Sequence, residues 1–265
     1  MHAPLIAPFA IALYLLAAGF LASSLRQDEA TPTRVPMTFA AIAVLMHAAL
    51  VLEAHRGALD LHFFAALSLV ACVVSALTLV VNLTRPIAAL GVIVFPLSAV
   101  LFAIDVYLAP PTFPQVLDWQ IKLHATFALL AYSVLSIAVV LALLLALQER
   151  ALRNRHFGAV LRALPPLTLT ETLLFRLIAT GFALLSLTLL SGILFVENLF
   201  AQHLIHKTVL SIIAWVVFGV LLLGRRLRGW RGRRAVNLAL AGYVLLLLSF
   251  FGTKFVLELV LHRVG

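Results

Sequence analysis

Nine residues that carry charge or an imidazole, Asp105, His124, Glu197, His203, His206, Lys207, Lys254, Glu258 and His262, sit within or beside long apolar runs. Such groups are expensive in hydrocarbon unless they are paired, suitably protonated or bound, so a search for chemistry starts with them. Lys254, Glu258 and His262 are spaced i, i+4, i+8, which stacks them on one helical face. That pattern suits a helix-stabilising ion pair with an interfacial histidine, or a cation and a ligand presented together. His124 and Tyr132, eight residues apart, also share a face. His203 and His206 form H-x-x-H beside Lys207, which reads as a weak metal pair or as a polar loop. His47 follows Met37 by ten residues, and a rise of about 1.5 Å per residue places it roughly 15 Å deep, near the midplane. An imidazole there takes a hydrogen bond from a neighbouring helix or a metal. A closed zinc site would bring further ligands, and no H-x-x-x-H or H-E-x-x-H pattern is present. Haem suits the composition better, because it asks for an apolar slot, one or two axial imidazoles and cations near its propionates. Lys122, Lys207 and Lys254 are available for the last role.

The elements that must position these groups are membrane spans. Of the 265 residues 64% are hydrophobic and only 11% charged, with a mean hydropathy of +1.14, whereas soluble domains spend about 25% of their residues on Asp, Glu, Lys and Arg. Apolar runs broken by charges or by Pro and Gly predict eight spans, near 5 to 25, 37 to 54, 61 to 82, 87 to 109, 121 to 148, 172 to 197, 205 to 224 and 235 to 261. The expected fold is an all-α polytopic membrane helix bundle. It reads as a single integral membrane domain over 1–265, with four N-terminal spans in 1–120 and a core of four spans in 121–265. A soluble enzyme with its own core is excluded. Met1-His2-Ala3-Pro4 puts no Lys or Arg ahead of the first run, which is therefore expected to stay as a span. The single cysteine, Cys72, lies inside an apolar run and leaves no disulfide framework and no C-x-x-C-H haem attachment. Pro165-Pro166 is expected to end one element, with Thr168 or Thr170 capping the next helix.

Orientation follows from the basic residues. One set of alternate connections holds thirteen Lys and Arg, including six arginines from Arg225 to Arg234; the other holds four, Arg56, Lys122, Lys207 and Arg263. Positive loops favour the cytoplasm, so both termini are expected to be periplasmic and the polar cluster to face outward. The net charge of +9 is read as topology, not as nucleic-acid binding. The Arg225 to Arg234 cluster, with Trp230 at headgroup level, reads as a cytoplasmic anchor or as a grip on anionic lipid or a partner.

Several stretches carry a resemblance. They are His124-Ala125-Thr126-Phe127 with Tyr132-Ser133 behind it, Thr188-Leu189-Leu190-Ser191-Gly192-Ile193, and Lys207-Thr208-Val209-Leu210-Ser211 with Trp215. Further along come Gly229-Trp230-Arg231-Gly232-Arg233-Arg234-Ala235 and Phe250-Phe251-Gly252 leading to His262, and Met46-His47-Ala48 lies upstream. In this order they resemble the transmembrane cytochrome c assembly family of Ccs/Ccm-type haem-handling proteins, and among them the inner membrane YpjD/HemX-like branch. The resemblance implies that His124 and His262 are axial haem ligands, with His47 similar to a ligand within the spans whose counterpart position falls at Leu223. Lys254 and Lys207 are then propionate partners. It also implies haem and an apocytochrome or cytochrome assembly proteins as partners beside membrane lipid. The family's tryptophan-rich loop has no equivalent between Gly192 and Trp215, which points to weakened or lost haem binding.

Two function classes follow. One is an inner membrane haem-binding accessory in haem handling or cytochrome c maturation, not an enzyme in the ordinary sense. The other is a non-haem regulator or solute transporter subunit using the outward polar cluster, although the repeats and broken helices typical of carriers are absent from the sequence. His47 is expected to face the interior and to matter more for haem occupancy than for folding.

Overall fold

The computed structural model describes residues 3–27, 34–54, 62–84, 87–109, 117–154, 165–195 and 205–256. Among these residues the regular structure is helical throughout, as it must be where lipid offers no partner to backbone N–H and C=O groups. The helices are α1 (Ala3–Gln27), α2 (Arg34–Ala54), α3 (Phe63–Thr84), α4 (Ala88–Leu108), α5 (Trp119–Arg153), α6 (Leu167–Phe195), α7 (Ile205–Arg228) and α8 (Gly232–Leu247). All eight are long and apolar enough to cross a membrane, α8 together with the residues that follow it. The last helix widens into a π segment, Leu248–Gly252, and continues to residue 256. The predicted spans fall on these eight helices with their ends displaced by a few residues.

One local expectation is overturned. Helix α6 begins at Leu167, directly after Pro165 and Pro166, so Thr168 and Thr170 lie inside it and cap nothing. A proline just ahead of a helix is asked for no N–H and presets the entering dihedral. The Thr168 carbonyl instead accepts the Thr172 hydroxyl at 2.7 Å.

The chain divides into two compact units, described separately. The first comprises Met1–Val116 with Arg150–Pro166. In it α1 packs on α2 and α4, and α3 packs on the same two helices. Fully buried Ala7, Ala10, Ala17, Ala40 and Ala43 let these backbones approach closely, since packing, not water, drives association in lipid. Ala7, Ala10, Leu50 and Phe102 form one apolar cluster, joined by Ile11, Met46 and Val106.

Beside it runs a buried polar chain. His47 is fully buried, with Nδ1 3.3 Å from the Tyr14 hydroxyl and Nε2 3.0 Å from the Ser68 hydroxyl. Ser75 donates to Ser98 at 2.7 Å, and Ser98 to the Ala71 carbonyl at 3.2 Å. Four helices are tied by five side chains.

The second unit comprises Leu117–Glu149 and Leu167–Gly265. Here α7 packs on α6 and on α8, and the π segment packs on α7. The turn between α7 and α8 needs glycine twice, because Gly229 (φ 64°) and Gly232 (φ 53°) both take left-handed backbone. It folds back so that the Gly229 and Trp230 amides reach the Arg225 and Gly224 carbonyls, each at 3.2 Å. The Trp230 ring lies against Gly224, where a Cβ would overlap it.

Glu171 of α6, its side chain 9% exposed, fixes this turn. It accepts Arg225 Nη1 at 2.7 Å, and Arg231 through Nε at 2.9 Å and Nη2 at 2.7 Å. The Arg225 guanidinium also sits 4.6 Å from the centre of the Phe175 ring. Two of the six clustered arginines are thus paired with Glu171, Arg225 half-buried and Arg231 exposed, while Arg226, Arg228, Arg233 and Arg234 are also exposed. Glu171→Ala is expected to cost about 1–3 kcal/mol, because charge-assisted bonds are lost but both arginines can turn toward water. The measurement is the thermal midpoint in detergent; an unchanged midpoint would make the clamp energetically idle.

Candidate functional site

His124 enters the membrane-spanning part of α5 after about one and a half turns, and its ring packs over Gly192 of α6. A Cβ at Gly192 would lie 3.4 Å from His124 Cε1, so a larger residue would press on the ring. His124 Nδ1 lies 3.0 Å from the Ser191 hydroxyl, and that hydroxyl donates to the Thr188 carbonyl at 2.9 Å. A hydroxyl has one proton. Because Ser191 gives its proton to Thr188, it accepts from His124, which places the imidazole proton on Nδ1. Nε2 is left as the basic nitrogen, the form a metal ligand needs.

That imidazole lines a cavity of about 490 Å³ built from α5, α6, α7 and the π-widened last helix. The volume is in the range of small-molecule and cofactor sites, roughly 300–1,000 Å³. Its walls are largely apolar, with Ala128, Ala131, Leu185, Leu189, Ile193, Ile212 and Leu246 contributing alongside Trp215 and Phe250. Polar groups are few and come from separate helices: Ser186 and Thr188, Lys207, Thr208 and Ser211, and Ser249. Trp215 is locked in place by donating Nε1–H to Ser186 at 2.8 Å and by stacking on Phe182 at 5.3 Å. Trp119 and Phe195 meet edge-on at 5.7 Å near the His124 end.

Of the residues singled out from sequence, His124 and Lys207 line the same cavity. Lys254 is held with its ammonium 5.7 Å from the centre of the Phe250 ring, itself part of the wall. His47 belongs to the core of the first unit, where both ring nitrogens have protein partners. His262 lies outside the described residues, as do Glu197, His203 and Glu258. No group of three or more metal-ligating His, Cys, Asp or Glu occurs among the described residues.

Sequence reasoning passed over Ser191, Ser249 and Ser211, which orient or line the site. A serine in a membrane helix usually bonds back to its own preceding turn. Only a pairing with a specific imidazole distinguishes Ser191, and that pairing is tertiary.

Comparison with known proteins gives a consistent picture. The model of a family described as cytochrome C assembly protein matches residues 32–261. The chain is 32% identical to the inner membrane protein YpjD of Escherichia coli K12 over 270 residues, covering 97% of this chain and 99% of that protein. It is 26% identical to the cytochrome c biogenesis protein CcsA of Guillardia theta over 190 residues, 63% of each chain. With CcsA of Gloeobacter violaceus the identity is 31% over 97 residues, 36% of this chain and 28% of that protein. No solved structure matches.

Proposed function

Since the chain belongs to the cytochrome c assembly protein family and is a multi-pass inner membrane protein, we propose that it binds haem as an accessory in haem handling or cytochrome c maturation. The observation that carries this reading is the His124 imidazole, held by Ser191 with Nε2 basic, on the wall of an apolar cavity. The residues present fit the group. A neutral imidazole suits ferric or ferrous iron, the apolar walls suit a macrocycle, and Trp215 and Phe250 offer ring surface. Haem would be cargo or a bound redox centre; the protein's part is to hold it, exclude water and orient it.

In this reading His124 and His262 would hold the group through its iron, and Lys207 and Lys254 would partner its propionates. The protein is a binder, not an enzyme. The stretch from Gly192 to Trp215 contains no tryptophan between its ends, so the proposal concerns holding haem more than presenting it to an apocytochrome. The relatives named for cytochrome c biogenesis support a partner of the apocytochrome or assembly-protein kind.

The experiment is absorption spectroscopy of detergent-purified protein, as isolated and during haemin titration. A Soret band that saturates near one haem per chain is expected. No band under either condition would return the chain to the class of non-haem regulators or transporter subunits.

The reading also requires the His124 end of α5 to face the periplasm. A reporter active only in the cytoplasm, fused after Gly265, is expected to be silent because the thirteen-to-four distribution of basic residues would otherwise be inverted. Strong reporter activity would overturn that orientation.

A further inference from the structure

The turn between α7 and α8 combines a fixed backbone with a surplus of positive charge. Arg225 and Arg231 are paired with Glu171, and the Glu149 carboxylate packs against Gly232, where a Cβ would lie 2.6 Å from Oε1. Arg226 and Arg228 on the last turn of α7, and Arg233 and Arg234 on the first turn of α8, are exposed. None of the four has a hydrogen bond or ion pair among the described residues. Arg233 and Arg234 do not serve the helix they begin either, because cations in a first turn meet the positive end of its dipole. One span ends at Arg228 and the next starts at Gly232, so these side chains leave the hydrocarbon together, at headgroup level.

A fifth arginine indicates the kind of anion. Arg176 is exposed on α6, inside a membrane span and five residues beyond Glu171. At about 1.5 Å per residue its backbone lies roughly 7 Å deeper than the clamp, and at 3.6 residues per turn it points about 140° away from Glu171. That direction is off the face on which Glu171 and Phe175 meet Arg225. Arg176 also has no hydrogen bond or ion pair among the described residues. A cation on the lipid face of a span is costly unless it snorkels to a counter-ion. A phosphate carried by a lipid reaches it there, whereas a soluble anion does not.

We propose that the α7–α8 turn is a binding site for the phosphate groups of anionic phospholipid, with Arg226, Arg228, Arg233 and Arg234 taking them at headgroup level and Arg176 reaching up from the α6 face. Guanidinium forks match phosphate oxygens in pairs, and the Glu171 clamp holds the backbone that carries four of them. The site is independent of the haem reading above.

The test is native mass spectrometry of the full-length protein in neutral detergent, titrated separately with phosphatidylglycerol, phosphatidylcholine and inorganic pyrophosphate. Phosphatidylglycerol is expected to bind at least about tenfold more tightly than phosphatidylcholine, and more weakly as salt is raised. Changing Arg226→Gln, Arg228→Gln, Arg233→Gln and Arg234→Gln together is expected to weaken phosphatidylglycerol binding at least about fiftyfold, with an unchanged thermal midpoint. If that variant does not fold, Arg226→Gln with Arg234→Gln is read in the same way, with roughly a tenfold loss expected. The control removes equal charge from exposed positions elsewhere, Arg34→Gln, Lys122→Gln, Arg150→Gln and Arg153→Gln, and is expected to change affinity by no more than about twofold. Arg176→Gln is expected to weaken phosphatidylglycerol roughly fivefold and to leave pyrophosphate unaffected. Wild-type affinity for phosphatidylglycerol in the turn variants would overturn the site, and an equal loss in the control would reduce it to net charge. Pyrophosphate bound as tightly as phosphatidylglycerol, with Arg176→Gln affecting neither, would make the turn a site for soluble polyanions and overturn the lipid.

Discussion

His124→Ala is expected to abolish the Soret band of the isolated protein and to weaken haemin binding by at least about a hundredfold, a larger effect than the 10- to 100-fold typical of losing a group that merely orients a ligand. The argument starts from proton bookkeeping: the Ser191 hydroxyl is committed to the Thr188 carbonyl, so the imidazole donates through Nδ1 and keeps Nε2 basic. Ser191→Ala tests that bookkeeping separately. It leaves the ligand in place, frees the ring to take either tautomer and any rotation that Gly192 allows, and is expected to weaken haemin binding by about tenfold while the protein folds normally. A Ser191→Ala protein that matched wild type in affinity and in its haem spectrum would show that the hydroxyl does not set the tautomer. A His124→Ala protein that kept haem would remove His124 from the site.

The eight spans were legible because their signal is compositional: twenty or so apolar residues between charges admit little else. The start of α6 was not, because Thr168 and Thr170 carry the capping side chain while the prolines before them carry the stronger constraint. Glu171 lies one residue ahead of the predicted span 172 to 197, and nothing about its type or place singles it out. Its role as the clamp on Arg225 and Arg231 depends on a turn that returns to it some sixty residues later. His124 and Lys207 could be named from sequence, since charge and imidazole near an apolar run are conspicuous on their own. Ser191 and Tyr132 could not be assigned their parts, because a hydroxyl in a helix has a local partner by default and its tertiary partner is invisible in one dimension. The π turn is hidden for the same reason: Leu248-Ser249-Phe250-Phe251-Gly252 has no residue that forbids α, and the hydroxyl that meets the Leu246 carbonyl just ahead of it comes from Tyr132 on α5.

His47 shows where sequence and structure part over a single residue. Depth in the membrane predicts an inward imidazole, and it is fully buried, but the same depth left its partner undetermined. His47 meets the Tyr14 hydroxyl through Nδ1 at 3.3 Å and the Ser68 hydroxyl through Nε2 at 3.0 Å. Both ring nitrogens are therefore already held by hydroxyls, and the Phe102 ring lies 4.0 Å from the imidazole, centre to centre. His47 is therefore expected to act on folding more than on haem occupancy, the reverse of what its resemblance to a haem ligand implied. His47→Ala should lower stability by about 2–5 kcal/mol, combining a cavity with two lost buried hydrogen bonds, and should be read as a fall in the thermal midpoint. His47→Gln, which keeps a donor and an acceptor at similar reach, should recover most of that loss and leave haem per folded chain unchanged. If His47→Gln instead folded normally and lost haem beside an intact His124, the imidazole would be a ligand after all.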